Sequence, residues 1–150
     1  MKKFFSIILT LCILASFATV ANAENDVKIL LNGTEVQSDV APFIENDRTM
    51  VPARAIFEAM GAQVTWDAEN STVLMVRQKG EEFTSVVLQI GLEYAFVNSE
   101  SVSLDSPAKI VNDRTFVPLR FIIEAFNEGI NWDNETRTVS IVTENNWKIK

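Results

Sequence analysis

Two stretches of the chain space their apolar residues in the same way. Ala53, Ile56, Phe57 and Met60 fall at i, i+3, i+4 and i+7, and Leu119, Ile122, Ile123 and Phe126 repeat that spacing 66 residues later. This period predicts two short helices, each with one apolar stripe. Pro52 and Pro118 stand where the helices should begin, because proline at the first helical position gives up no hydrogen bond. Gly61 can end the first helix in the left-handed conformation, and Asn127 can do the same for the second.

Short strand-like runs surround each helix. Residues 27–31 and 34–36 are joined by Asn32-Gly33, a two-residue hairpin signal, and Asn98-Ser99 is a weaker turn at the matching place. Asn46-Asp47 should turn a strand at 43–45 into one at 48–51, since both residues tolerate turn conformations. After the helices come strands at 63–66 and 72–77, then at 130–132 and 138–143, across the polar turns 67–71 and 133–137. A turn at 78–82 leads to one further strand, 83–90, which has no counterpart.

The matching patterns reflect a duplication. Residues 46–75 align without a gap on 112–141, with 15 of 30 positions identical. Upstream, Val36 falls opposite Val102, Asp39 opposite Asp105 and Ile44 opposite Ile110 at the same offset. Units of about fifty residues bury little alone, so the two should form one pseudo-symmetric body. The expected fold is α+β: an antiparallel β-sheet curled around one short helix per repeat. The expected divisions are a signal peptide at 1–23, repeat one at 27–78, a connecting strand at 79–92, repeat two at 93–142 and a frayed tail at 143–150.

Charge and composition narrow the chemistry. Lys2 and Lys3 precede an almost wholly apolar run from Phe4 to Val20, and Ala21-Asn22-Ala23 has the form of a signal-peptidase site. Export to the cell surface or medium is therefore expected, with no membrane contact after cleavage. Removing residues 1–23 leaves 11 basic residues of 13 against 20 acidic, a net charge of −9, which disfavours nucleic acid and anionic membranes. Cys12, the only cysteine, leaves with the leader, and there is no histidine, so thiolate chemistry and the usual transition-metal ligands are missing.

The remaining candidates for chemistry recur in both copies. Arg54 and Glu58, like Arg120 and Glu124, are i and i+4 on a helix and should pair across one face. A hydrolase would use Glu58 and Glu124 as acid and base, but a copied carboxylate in a copied environment has no evident way to split two pKa values, so a structural ion pair is favoured. Asp47, Asp113, Asp67 and Asp133 could be imagined as calcium ligands, yet their turns lack the run of close carboxylates a cage needs. They read as caps of tight turns. Trp66 and Trp132 could stack on sugar rings, and are expected instead as lids on the core. Trp147, near Lys148 and Lys150, is left as a possible ligand contact.

The phrases NDRTMVPARAIFEAMGAQVTWD and NDRTFVPLRFIIEAFNEGINWD, followed by STV and RTV, resemble the signature of the copper amine oxidase N-terminal-domain-like family, also called stalk domains. The openings KILLNGTEV and AFVNSESV are similar too, so the resemblance covers roughly residues 27–142. It implies a small exported, surface-associated module, non-catalytic in the oxidases, where copper and the tyrosine-derived cofactor belong to a separate domain. Tyr94, the only tyrosine, has no histidine to accompany it. No cofactor is expected. The function expected is that of a secreted binding or structural module contacting a surface protein or wall glycan, with a peptidoglycan binder using Trp66, Trp132 or Trp147 as the alternative and a carboxylate hydrolase as the third. Pro52, Arg54, Glu58, Trp66 and Asp67, with Pro118, Arg120, Glu124, Trp132 and Asp133, are expected to start, pin and cover the helices.

Overall fold

The structure, a computed structural model, describes residues 26–143, so the leader and Trp147 lie outside the described residues. The first half runs β1 (Lys28–Leu31), β2 (Thr34–Glu35), β3 (Phe43–Glu45), β4 (Arg48–Pro52), α1 (Ala53–Ala59), β5 (Gln63–Asp67) and β6 (Thr72–Lys79). After β7 (Glu82–Gln89) the same order returns: β8 (Tyr94–Val97), β9 (Glu100–Ser103), β10 (Lys109–Val111), β11 (Arg114–Pro118), α2 (Leu119–Ala125), β12 (Gly129–Asp133) and β13 (Thr138–Val142).

The α+β expectation is corrected. The described residues are 52% strand and 12% helix, arranged in three sheets with two helices in total, so the fold is mostly β. Each helix has only seven residues, too few to cover a sheet, and most core side chains come from strands. Nor is the pairing wholly antiparallel, because β1 runs parallel to β13. The helical stripe is conspicuous in sequence because it is continuous, whereas the strand contribution is divided among thirteen short pieces.

Local signals are met with one shift. Asn32 and Gly33 have φ of 50° and 85°, and Asn98 and Ser99 have 48° and 72°, so the weaker turn adopts the same conformation. Pro52 and Pro118 are extended, with ψ of 112° and 122°: each proline closes a strand and the helix starts one residue later. Gly61, at φ 82°, lets the Ala62 amide reach back to the Phe57 carbonyl at 2.9 Å. Asn127, at φ 51°, does the same for Glu128 and Ile123 at 2.9 Å, so both helices end alike despite different residues. Ala53, Ile56 and Phe57 in α1, and Leu119, Ile122 and Ile123 in α2, are buried as the stripe requires.

The two halves meet on a central sheet ordered β10-β11-β4-β3. There Val51 lies directly opposite Val117, its own equivalent, and both are fully buried, which places a pseudo-twofold axis between them. The flanking sheets differ. One is ordered β12-β13-β1-β2 and joins the two ends of the described chain; the other, β5-β6-β7-β8-β9, has β7 wedged antiparallel between β6 and β8. A single apolar core, including Phe57, Met75, Leu88, Ile122 and Ile141, runs through both halves.

A polar clamp crosses that core off the axis. Arg77 on β6 is 6% exposed and reaches Glu128 Oε1, fully buried, at 2.6 Å and the Phe126 carbonyl at 2.9 Å, with its guanidinium 4.6 Å above the Phe126 ring. Lys79 adds a contact to the same oxygen at 3.4 Å. The clamp ties β6 of the first half to the exit of α2 in the second. Among the described residues no helix is long and apolar enough to cross a membrane.

Candidate functional site

Two grooves flank the central sheet. The first, of about 700 Å³, is lined by Pro52, Ala53, Arg54, Val64, Trp66 and Val73 from one half and Ile110, Asp113, Arg114 and Thr115 from the other. The second, of about 290 Å³, is lined by the equivalent of each of these ten residues: Pro118, Leu119, Arg120, Ile130, Trp132 and Val139, with Ile44, Asp47, Arg48 and Thr49. Each groove is thus assembled from both halves, and the axis between Val51 and Val117 exchanges them.

The local geometry follows from strand register. Trp66 lies opposite buried Val73, and Trp132 opposite buried Val139, so each indole rests on the core beside a groove. They are not core lids: Trp66 is 36% and Trp132 38% exposed. Short edge strands leave the indoles uncovered on one side, which a periodic pattern cannot reveal.

Of the two helix ion pairs expected, the one in the first copy forms at the surface and the one in the second does not form among the described residues. Arg54 and Glu58 are 62% and 54% exposed and just 4.0 Å apart, a solvent-screened contact. Among the described residues no ion pair joins Arg120 to Glu124. Glu58 lines the first groove, whereas Glu124 lines a separate hollow of about 360 Å³ with Phe121 and Val102. The two glutamates therefore do not converge on one substrate, and the paired acid and base of a hydrolase are not assembled.

Besides Arg77, the arginines that cross between the halves are Arg48 and Arg114, which motif reading passed over. Arg114 binds Asp39 through two nitrogens, one of them at 3.3 Å, and Arg48 Nε stands 3.0 Å from Asp105 as an ion pair without hydrogen-bond alignment. Asp39 and Asp105 are equivalent positions, so the two bridges are reciprocal. Their recurrence at the 66-residue offset was the available signal. The Arg114 guanidinium holds the Asp39 carboxyl below its ordinary value and is itself raised by it. A third bridge, Lys109 to Glu45, has no counterpart, because Phe43 and Val111 occupy the equivalent places.

Asp67 and Asp133 cap turns. Asp67 accepts from the Asn70 side chain at 2.7 Å and from the amides of Glu69 and Asn70, while Asp133 accepts from the amides of Glu135 and Thr136. Both carboxyls are held below the usual range, Asp67 mainly by the Asn70 side chain and Asp133 mainly by the Thr136 amide. Asp47 and Asp113 sit at φ 58° and 59° in their turns. Among the described residues no group of three His, Cys, Asp or Glu could hold a metal. With no histidine in the chain, the donor set does not fit a copper centre. Tyr94 is 43% exposed on β8 against Phe96 and touches no such site.

Comparison with known proteins finds the copper amine oxidase N-terminal domain family over residues 30–141. A "Protease inhibitor" from Brevibacillus choshinensis is 29% identical over 146 residues, covering 93% of this chain and 43% of the relative. The chain thus spans less than half of that relative's length. The family is an N-terminal, non-catalytic domain and the relative is named an inhibitor; both are consistent with a module that performs no chemistry.

Proposed function

The chain belongs to the copper amine oxidase N-terminal domain family, and we propose that it is an exported, non-catalytic binding module that holds a protein partner in its two grooves, at or outside the cell surface. One observation carries this reading: ten equivalent residues build both grooves, and each groove sets a half-exposed indole among arginines. Tryptophan and arginine are the side chains that contribute most where proteins meet, since each offers a large contact area with a polar handle. Export is supported by the basic and apolar pattern of residues 1–23. The name of the relative makes an extracellular protease the first partner to assay.

A second reading has its own support. The exposed surface of Trp66 and Trp132 offers a sugar ring a place to stack, which suits a wall glycan. Immobilised protein is offered separately to a panel of purified secreted proteases, to surface-protein extract and to protein-free cell walls. Capture of a protein that is lost in Trp66→Ala/Trp132→Ala supports the protein reading. Retention on bare walls that is lost in the same variant replaces it with the glycan reading, and capture indifferent to both tryptophans removes the grooves from the account.

A further inference from the structure

Ion pairing leaves the two grooves with different charges to offer. In the first, Arg114 is taken up by Asp39 and Arg54 by Glu58. Asp113, exposed in the same lining, makes no ion pair among the described residues, and its carboxylate accepts no hydrogen bond from them. In the second, Arg48 is taken up by Asp105. Asp47, the equivalent of Asp113, shares that groove with Arg120, and neither is ion-paired among the described residues. Pairing thus leaves the first groove one negative charge, and the second one charge of each sign.

The difference comes from one position. Glu58 lines the first groove and faces Arg54 at 4.0 Å, too long for a hydrogen bond, so it offsets the local cation while its oxygens stay open to a donor. Its equivalent, Glu124, lines the hollow beside Phe121 and leaves Arg120 unanswered. A guest carrying a positive group therefore finds two carboxylates in the first groove, Glu58 and Asp113.

The rest of that lining suits the stem of such a guest. Pro52, Val64, Val73 and Ile110 are apolar, and Trp66, 36% exposed, stands among them. A guanidinium is drawn to an indole face and binds carboxylates through paired N–H groups, while the methylenes behind it lie along apolar surface. At about 700 Å³ the groove has room for that side chain and its neighbours. A basic segment is also steered toward a chain of net charge −7.

We infer, resting on the reading of the grooves as protein-binding clefts, that the first groove receives an arginine side chain from a basic segment of the protein partner. Asp113 and Glu58 accept from its guanidinium, Trp66 gives it an aromatic surface, and the second groove lacks the preference.

Calorimetric titration of the purified chain with two capped tripeptides tests it. One carries arginine between two leucines; the other carries citrulline there, which has the shape of arginine without its charge. The arginine peptide should bind about two- to fivefold more tightly, the range of one exposed ion pair, and the advantage should shrink as salt is added. Asp113→Asn and Glu58→Gln should each remove it, the latter by freeing Arg54 to oppose the guest. Asp47→Asn in the second groove should leave it unchanged, and Trp66→Ala should weaken both peptides. Equal affinities with both peptides still weakened by Trp66→Ala, or an arginine advantage that survives Asp113→Asn and Glu58→Gln, overturn the inference and leave the groove reading in place. Absence of binding overturns the inference, and binding indifferent to Trp66→Ala overturns the groove reading with it.

Discussion

The two grooves share ten positions and differ in charge. The first is lined by Asp39, Glu58 and Asp113 against Arg54 and Arg114; the second by Asp47 against Arg48 and Arg120. Counting Asp105, which pairs with Arg48 from outside the lining, still leaves the second groove the more positive. Its smaller volume has the same origin, because Ala55 and Glu58 line the first groove while their equivalents, Phe121 and Glu124, turn to a different hollow. A duplicated scaffold has kept the residues that form a cleft and the charged residues around it, and the two grooves differ because Asp39 and Glu58 line the first while their equivalents, Asp105 and Glu124, do not line the second. A partner held by both would have to present two different surfaces.

The same contrast between shared and divergent positions orders the effects of substitution. The largest is expected at the clamp, which only one half possesses. Arg77→Ala leaves buried Glu128 without its guanidinium and should cost about 3–5 kcal/mol in chemical denaturation, whereas an unchanged midpoint would mean the clamp contributes nothing. Next come the shared stripe residues. Ile56 and Ile122 are equivalent and 2% and 0% exposed, so truncation of either to alanine should cost about 2–5 kcal/mol. A large cost at one and none at the other would show that the halves are not energetically alike.

The smallest effect is one of pH. Asp67 and Asp133 have folded pKa values below their unfolded ones, so their contribution is present above the ordinary carboxylate range and is lost as pH falls through the folded values. Melting temperature should decline below about pH 4, and Asp67→Asn together with Asp133→Asn should flatten that decline. Since both carboxyls are on the surface, the change is modest; a steeper decline in the double variant would reverse the assignment.

What could be read from the sequence was local. The helix stripes, the Asn32-Gly33 and Asn98-Ser99 turns, the left-handed exits at Gly61 and Asn127 and the unmatched strand each depend on a few neighbouring residues, and all are present. The share of helix was overestimated because a stripe of four apolar residues stands out, while alternation in a strand of three does not. Partners were not legible. Strand period tells which face is buried and not which strand lies alongside, so the parallel β1–β13 pair and the facing of Val51 and Val117 had no local signature. The grooves depend on that pairing, and so were missed, although most of the residues that build them had been singled out one by one. Arg77 and Glu128, 51 residues apart, lacked even the repeat as a guide.

The opposite bias of the two grooves can be measured without a ligand, through their own indoles. In a chain carrying Trp147→Phe, Trp66→Phe leaves Trp132 as the sole emitter and Trp132→Phe leaves Trp66. Iodide should quench Trp132 more strongly than Trp66, caesium should reverse the order, and the difference should shrink as inert salt screens both grooves. Equal quenching of the two indoles by both ions, or iodide favouring Trp66, would contradict the claim that one scaffold has been given two differently charged sites.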